Sequence, residues 1–283
     1  MSLLTIDSIV ALDADALSQA IHARQVSCRE VMQAYLAHIE RFNPQVNALV
    51  SLRPVEALLL EADDCDRQLA AGVSRGWMHG MPQAIKDLAA TAGLRTTLGS
   101  PLFAEQVPQH DAISVARVRD SGAIIIGKTN VPEFGFGSQT YNPLFGTSTN
   151  AYDPSLTCGG SSGGAAAALA LRLLPVADGS DMMGSLRNPA AFNNIIGFRP
   201  SKGRVGGGDP FYQRLSTAGP MGRNTEDTIR FLHTIAGPVN DQPYSIQERL
   251  PEAEQYTPLN LRDIKIGWMG DFEKYLAMEA GVL

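Results

Sequence analysis

Charge and cysteine are both scarce in this sequence. Only 18% of its 283 residues are charged, and 23 basic against 29 acidic side chains give a net charge of −6. Domains that bind nucleic acid concentrate lysine and arginine, so this balance argues against a nucleic-acid partner. Three cysteines, Cys28, Cys65 and Cys158, form no C-x-x-C pair and no zinc-binding spacing. Because an odd number also argues against a disulfide framework, we expect reduced thiols and no metal site.

Long hydrophobic runs and a secretory leader are also missing. The longest apolar stretch, residues 165–177, is shorter than the roughly 20 residues that a membrane-spanning helix needs, and Arg172 interrupts it. The N-terminal segment has no basic region, and three aspartates break its apolar character: Asp7, Asp13 and Asp15. These features predict no signal peptide, no membrane association and a cytoplasmic location.

Glycine is absent from the first 71 residues, whereas 23 of the 27 glycines lie between Gly72 and Gly222. Before Gly72 the apolar residues recur with helical spacing, which indicates a helical part built for packing over residues 1–71. Its predicted elements are two helical segments and one short strand, over residues 13–41, 54–71 and 48–52. Chemistry is therefore expected in the remainder, residues 72–283.

Local signals mark the ends of these helices. Ser27 and Glu30 have the spacing of a capping box, in which each side chain satisfies the backbone N–H of the other residue. Asn43 and Pro44 are expected to end that helix, because proline has no N–H to donate. Gly72 is expected to close the following helix.

After Gly72, short apolar runs alternate with helical patterns. The expected helices cover residues 113–120, 164–173 and 225–236, and the expected strands cover residues 123–126, 174–177 and 264–268. Strands that are apolar on both faces belong to sheets covered on both sides. We therefore predict an α/β fold, with a mixed β-sheet core covered by helices on both faces, in a single domain over residues 1–283.

One segment matches the phosphate-loop pattern G-x-x-x-x-G-K-[ST] letter for letter, at residues 122–129. The four middle residues of that pattern should form a loop whose N–H groups wrap a phosphate. Here they are an alanine and three isoleucines, which favour a strand. Pro132 also disfavours a helix starting at Lys128. Nucleotide binding is therefore rejected.

A second segment, residues 160–164, matches the G-x-S-x-G nucleophile elbow of α/β-hydrolases, with Ser162 as the nucleophile. An elbow follows a buried strand, but residues 153–158 have the composition of a turn. His233 is the one histidine after Ser162, where that fold places its base, and it lies in a helical pattern. An elbow hydrolase with Ser162 as its nucleophile is kept as an alternative.

Three glycine-containing segments remain, and each brings Lys or Ser next to glycine: residues 80–87, 159–164 and 179–187. Serine is a poor nucleophile unless a base removes its proton. Lys86 lies in an apolar run, and burial can lower the pKa of a lysine until it serves as a base near neutral pH. An ion pair between Lys86 and Asp87 is the competing explanation, and the sequence leaves both open.

Together these segments resemble the amidase signature family of Ser-Ser-Lys amide hydrolases. The resemblance runs from about residue 10 to the C-terminus and includes residues 127–133 and 193–203. It implies that Ser185 is the acyl-forming nucleophile, that Ser161 is a bridging serine preceded by a cis peptide bond, and that Lys86 is the terminal base.

The same resemblance implies a substrate pocket. Gly135 would line it, and Ser161 would also contact the substrate. The oxyanion would be held by the backbone N–H groups of four consecutive residues, Met182, Met183, Gly184 and Ser185. Asp181 and Arg187 are expected to form a structural pair that shapes the turn around Ser185.

The sequence departs from the family in two places. The family usually has glycine where this chain has Met183. Family members also continue well past Leu283, so we expect an N-terminal portion that lacks the C-terminal part of the family domain. Apolar surface would then be exposed, and the chain by itself is expected to aggregate or to be inactive.

The predicted function is the hydrolysis of linear carboxylic amides, small molecules cleaved at a C–N bond through an acyl-serine, with no cofactor and no metal. A homodimer is left open as the assembly. Two alternatives remain besides the elbow hydrolase. One is an amidotransferase A-type subunit that supplies ammonia to a partner enzyme, and the other is an inactive, truncated relative that acts as a binding module.

Overall fold

The N-terminal part is helical, as its apolar spacing predicts. In the computed structural model, which describes residues 6–207, 215–251, 260–273 and 275–277, it consists of α1 Ile6–Ala11, α2 Ala14–His22, α3 Cys28–Val46, β1 Leu49–Val50 and α4 Val55–Ala70. The capping box is confirmed: Ser27 Oγ accepts the Glu30 N–H at 3.1 Å, and the Glu30 carboxylate accepts the Ser27 N–H at 2.9 Å.

The predicted end of α3 is wrong, because the helix continues past Pro44 to Val46. Only the last turn lies beyond the proline, so a single missing N–H does not break the helix. Asn47 ends it in the left-handed conformation, with φ 49°. The Asn43 side chain accepts the N–H groups of Ala48 and Leu49, at 3.0 and 2.8 Å, and thereby holds the turn that follows.

Two three-stranded sheets are formed, and all of their strands except β1 come from residues 72–250. The strands and helices of this part are β2 Pro82–Lys86, α5 Ile113–Asp120, β3 Ile124–Thr129, β4 Tyr141–Asn142, β5 Gly146–Thr147, α6 Gly163–Ala170, β6 Ala177–Asp181, α7 Arg187–Phe192, β7 Ile196–Gly197, β8 Thr217–Gly222 and α8 Thr225–Ile235. One sheet has the order β1-β3-β2, the other β6-β8-β7, and β4 pairs with β5 as a hairpin. Short 3₁₀-helices occur at Pro101–Phe103, Glu133–Gly135 and Leu261–Asp263.

The pairing is mixed, as predicted. Strands β2 and β3 are parallel, with Lys86 opposite Thr129, whereas β1 runs antiparallel to β3. In the second sheet β8 is antiparallel to both neighbours. Every residue of β2 and β3 is buried, as expected for strands covered on both faces, and the buried residues include the polar or charged Gln83, Lys86 and Lys128. The α/β class is confirmed, although the described strands form two small sheets and a hairpin instead of one sheet.

Two predicted strands differ from the structure. The strand expected over residues 174–177 begins only at Ala177 and continues to Asp181, because its buried polar residues form hydrogen bonds that hydrophobicity does not reveal. Residues 264–268 form no strand, and Ile266 and Trp268 are 72% and 81% exposed. A strand needs a pairing partner, and the described residues after Pro251 contain no second strand.

The chain divides into two units, residues 1–250 and 251–283. The first contains every helix and strand named above except the 3₁₀-helix Leu261–Asp263, which lies in the second. Among the described residues, none of the helices combines the length and the apolar character that crossing a bilayer requires.

Candidate active site

Lys86 is the last residue of β2, and its side chain is only 1% exposed. Its ammonium nitrogen, Nζ, lies 2.8 Å from Ser161 Oγ and 2.8 Å from Ser162 Oγ. Ser180 contributes its hydroxyl at 3.0 Å and its carbonyl oxygen at 3.3 Å. The amine is therefore surrounded by hydroxyl groups and by one carbonyl, which makes proton exchange with a serine geometrically direct.

Burial lowers the pKa of Lys86 from 10.5 to about 7, while the negative charges of Asp178 and Asp181 act in the opposite direction. The competing ion pair with Asp87 is not formed. The Asp87 carboxylate instead accepts the Thr97 N–H at 3.1 Å and the Thr97 hydroxyl at 2.5 Å. A lysine without a carboxylate partner can lose its proton near neutral pH and act as a base.

The glycines of residues 159–164 explain how Ser161 and Ser162 are positioned. The peptide bond between Gly160 and Ser161 is cis, as the resemblance implied. Ser162 is the residue before the first turn of α6. A side chain at Gly164 would place its Cβ 2.4 Å from the Asn130 backbone nitrogen, so only glycine allows the helix to approach this close. The packing of α6 against the residue that follows β3 thus fixes the position of both serines.

Ser185 lies on the turn that follows β6, and Asp181 organises this turn. The buried carboxylate accepts the N–H groups of Gly184 at 2.8 Å and Leu186 at 3.2 Å. Arg187 Nε donates to it at 3.0 Å, so the predicted structural pair is confirmed. Burial acts to raise the pKa of Asp181, but the hydrogen bonds from Arg187 and from the two backbone groups outweigh it and lower that pKa to about 2.

This turn changes the set of available oxyanion donors. The Gly184 N–H is already donated to Asp181, so it is not free as the sequence suggested. The N–H groups of Met182, Met183 and Ser185 have no hydrogen-bond partner in the described part of the chain. Met183 is also 87% exposed.

Gly135 borders Ser161. It has φ +73°, and a Cβ added to it would lie 3.6 Å from Ser161 Oγ and 2.6 Å from Leu88 Cδ1. An added Cβ would therefore collide with Leu88, whereas its contact with the Ser161 hydroxyl would be an ordinary van der Waals contact. Gly135 is in place to limit the space beside Ser161, which is the location that a pocket-lining residue requires.

Ser185, the candidate nucleophile, lies on a segment next to Lys86 and Ser161, but its hydroxyl is not hydrogen-bonded to that of Ser161. The Ser162 N–H donates to the Ser185 carbonyl at 3.2 Å, which ties the two segments together. Among the described residues, no hydrogen bond joins the hydroxyls of Ser161 and Ser185. Such a bond is expected to tighten when a substrate binds, because catalytic hydrogen bonds are often long in unliganded enzymes.

Sequence reasoning missed two groups next to Lys86. Ser180 supplies its hydroxyl, and Asp178 accepts the Lys86 backbone N–H with both carboxylate oxygens, at 3.0 and 3.2 Å. The two residues are separated by one position, and a strand places such residues on the same face. This alternation was the signal that could have found them.

The structure shows the surroundings of the two motif matches. Residues 124–129 form β3, and Lys128 Nζ is buried, donating to the Ala89 carbonyl at 2.7 Å and to Thr91 at 2.8 Å, so it cannot hold a phosphate. No strand lies directly before Ser162, since residues 153–158 form turns and a single bridge. Within the described ranges, no cluster of three His, Cys, Asp or Glu side chains could hold a metal ion.

Comparison with known proteins gives consistent results. A family model described as Amidase matches residues 30–282. The A-type subunit of glutamyl-tRNA(Gln) amidotransferase from Bdellovibrio bacteriovorus is 37% identical over 258 residues, which cover 90% of this chain and 52% of that protein. The chain spans about half the length of the curated relatives it matches.

Two solved structures share the fold. A bacterial aryl acylamidase described as an amidase signature enzyme has a TM-score of 0.80 at 30% identity, over 84% of this chain and 50% of that one. The native peptide amidase of Stenotrophomonas maltophilia has a TM-score of 0.79 at 33% identity, over 86% of this chain and 51% of that one.

Proposed function

Because this chain belongs to the amidase signature family, we propose that it is an amide hydrolase that cleaves the C–N bond of linear carboxylic amides through an acyl-serine intermediate. One observation carries the proposal: a buried lysine amine lies 2.8 Å from Ser161 Oγ and makes no ion pair in the described part of the chain. Ser185, on the neighbouring turn, is the proposed nucleophile.

The first step is acylation. Neutral Lys86 accepts the Ser161 proton while Ser161 accepts the Ser185 proton, so that one base deprotonates the attacking hydroxyl through a relay. The Ser185 oxygen then attacks the amide carbonyl, and a tetrahedral oxyanion forms. Lys86, now an ammonium, returns its proton through Ser161 to the leaving amine as the C–N bond breaks.

The oxyanion is stabilised by the turn that carries Ser185. The N–H groups of Met182, Met183 and Ser185 are the available donors, while Asp181 holds the turn through the Gly184 N–H. By mutational precedent, one such donor contributes about 3 kcal/mol of transition-state stabilisation. Water then attacks the acyl-serine, with the same relay removing its proton, and the carboxylic acid product leaves.

The proposed substrate is a small-molecule amide, and the proposed reaction uses no cofactor. The solved structures are named as an aryl acylamidase and a peptide amidase, which supports acyl-transfer chemistry on amides without selecting one of them. Gly135, beside Ser161, is proposed to line the pocket together with Met182. The cytoplasmic location and the homodimer stay predictions.

A second candidate is an amidotransferase A-type subunit. It is favoured by the name of the curated relative, which is the subunit of that type in a glutamyl-tRNA(Gln) amidotransferase. The same relay would then hydrolyse the side-chain amide of glutamine and release ammonia to a partner enzyme. This candidate requires glutaminase activity that rises when a partner subunit is added.

Active-site labelling is the direct test. A fluorophosphonate should modify the chain once, and peptide mass spectrometry should locate the adduct on Ser185. The Ser185→Ala variant is the matched control and should remain unlabelled. A panel of aliphatic, aromatic and amino-acid amides, with glutamine included, then separates the two candidates. A folded chain that is neither labelled nor active on any amide would instead support the inactive binding module.

A further inference from the structure

The backbone N–H of Lys86 points to an edge of the first sheet that none of the described strands covers. Its neighbour, Asp87, donates its N–H to the Thr129 carbonyl of β3 at 3.1 Å. Successive N–H groups of a strand point in opposite directions, so the Lys86 N–H faces away from β3. Among the described strands, none pairs with β2 on that side.

The carboxylate of Asp178 takes the place of the missing strand. It projects from β6 and accepts the Lys86 N–H at 3.0 and 3.2 Å, one distance for each oxygen. Asp178 is buried, and no arginine or lysine forms an ion pair with it in the described ranges. A buried carboxylate without a counter-ion is costly to maintain. Burial raises the pKa of Asp178, while the hydrogen bond from the Lys86 N–H and the charges of Lys128 and Lys86 act in the opposite direction.

We propose that Asp178 is a positioning residue for the lysine base, and that its carboxylate both fixes the end of β2 against β6 and sets the pH at which Lys86 gives up its proton. The proposal rests on the assignment of Lys86 as the base. Asp178 acts on Lys86 through the field of its negative charge and through the backbone, and it makes no contact with the reacting atoms.

Asp178 is the main negatively charged group that acts on Lys86. The charge of Asp181 is engaged by Arg187 at 3.0 Å and by Arg199 at 3.3 Å. Neither α6 nor β8 carries a titratable side chain. The other buried titratable groups on the elements around β2 are Lys128 on β3, Asp87 after β2, and Cys28 and Tyr35 on α3, whose pKa values burial raises. The remaining titratable side chains of α3 are not buried.

The direction of the effect follows from charge. A nearby carboxylate stabilises the ammonium form of lysine, so Asp178 raises the pKa of Lys86 against the larger effect of burial. Without that charge, the amine would deprotonate at lower pH, and its conjugate acid would be a stronger proton donor to the leaving group. Asp178 therefore holds the base closer to neutral pH, where it can both accept and return a proton.

The test is Asp178→Asn in the full chain, because asparagine keeps a carbonyl oxygen that can accept the Lys86 N–H and loses only the charge. The chain has five lysines, so the ¹³Cε signals of labelled lysine should resolve, with Lys86→Arg assigning one of them. We expect the titration midpoint of Lys86 to fall by about one pH unit in Asp178→Asn. The acid limb of kcat/KM should move by the same amount.

Asp87→Asn is the matched control. Asp87 is also a buried carboxylate. Its charge acts on Lys128, as that of Asp178 does, whereas the carboxylates that act on Lys86 are Asp178 and Asp181. Asp87→Asn should therefore lower the Lys128 midpoint and leave that of Lys86 in place. An unchanged Lys86 midpoint in a folded Asp178→Asn variant would overturn the proposal, since a purely structural role would not move it.

A measurement on the unmodified chain covers the case in which Asp178→Asn fails to fold. The ¹³Cγ signal of Asp178 should show an ionised carboxylate across the pH range in which Lys86 titrates, and a protonated carboxyl there would overturn the proposal. Neither titration requires turnover. A chain that hydrolyses no amide yet shows the Lys86 shift would contradict the proposed function and support the electrostatic role of Asp178.

Discussion

The Lys86 amine has three serine hydroxyls within hydrogen-bond distance, but the proposed relay uses only one of them. Ser161, Ser162 and Ser180 lie 2.8, 2.8 and 3.0 Å from Nζ. Ser162 and Ser180 also exchange hydrogen bonds with each other through the Ser180 backbone, so they fix the direction of the amine. Ser161 is therefore the hydroxyl left to pass a proton onward.

Alanine substitutions separate these serines by role. Ser185→Ala should remove acyl-enzyme formation and lower kcat by a factor on the order of 10⁴. Ser161→Ala should cost roughly 10²- to 10⁴-fold, because it breaks the proton path. Ser162→Ala should cost about tenfold or less, since Lys86 keeps its other partners. Steady-state kinetics on the best amide of the panel gives all three values. If Ser162→Ala is the inactivating change and Ser185→Ala keeps activity, the elbow hydrolase is correct.

The pH dependence of the reaction reports on Lys86. Burial lowers the pKa of Lys86 to about 7, and only the neutral amine accepts a proton. Activity should therefore rise with pH through about 7 and then reach a plateau, and the acid limb of kcat/KM measures this.

Lys86→Ala should remove the limb together with most of the activity. Lys86→Arg keeps a cation but stays protonated, so it should not restore activity. An active Lys86→Arg enzyme with an unchanged profile would mean that the base lies elsewhere.

At the scale of elements, the turn after β6 determines whether the oxyanion donors point together. Gly184 has φ +119°, in the region that favours glycine, yet the nearest atom to an added Cβ is Asn188 Cβ at 3.9 Å. There is space for a methyl group but not for the backbone conformation of an L-residue. The turn can therefore be distorted without creating a steric clash.

Gly184→Ala should lower kcat by more than tenfold with a small change in KM, because misplaced N–H groups lose contact mainly with the transition state. Gly72→Ala is the matched control, since Gly72 has φ +77° and no atom within 4 Å of an added Cβ. It lies on the turn after α4, and it should cost about 1 kcal/mol of stability without affecting kcat. Equal kinetic losses in both variants would show that general destabilisation is the cause.

Elements whose signals are local could be predicted from the sequence, and those that depend on partners could not. Helix α5 has the predicted bounds, Ile113–Asp120, because the apolar spacing that defines it and the turns that end it are local features of the sequence. Strand β6 was misplaced, since its polar residues are stabilised by β2 and by the turn after it. Residues 264–268 have strand composition but no pairing partner among the described residues.

The same distinction applies to the site. The Lys86 and Ser161 contact involves segments 75 positions apart, and residue chemistry with the family resemblance was enough to pair them. The roles of Asp178 and Ser180 depend on β6 lying beside β2, although no hydrogen bond between the two backbones marks that neighbourhood. Nor could the sequence show that Asp181 uses the Gly184 N–H, because this depends on the conformation of the turn.

For the whole molecule, buried titratable groups make stability depend on pH in two opposing ways. Burial lowers the pKa of Lys86 to about 7 and that of Lys128 to about 8, from 10.5. Burial raises the pKa of all three thiols above their ordinary value of 9.0. The lysines bind protons more strongly in the unfolded chain, and the thiols bind them more strongly in the folded chain.

The free energy of unfolding should therefore pass through a maximum at about pH 9. Stability rises with pH wherever the unfolded state binds more protons. Between about pH 7 and 9 the two lysines are protonated mainly in the unfolded chain, so each contributes up to about 1.4 kcal/mol per pH unit. Above about pH 9 the unfolded thiols ionise, whereas burial keeps the folded thiols protonated to higher pH, so the thiols oppose the contribution of the two lysines. Urea unfolding at intervals from pH 7 to 10 measures the curve.

A lysine substitution identifies the origin of the rising limb. Lys86→Met is close in volume and has no titratable group, so it should remove at least half of the increase between pH 7 and 9. Lys265→Met, at an exposed position, is the matched control and should leave the slope unchanged. The fall above pH 9 should remain in both variants, because the thiols are unaltered. A slope that is the same in all three proteins would contradict the burial of an amine at position 86, since an exposed lysine holds its proton equally well in the folded and unfolded chains.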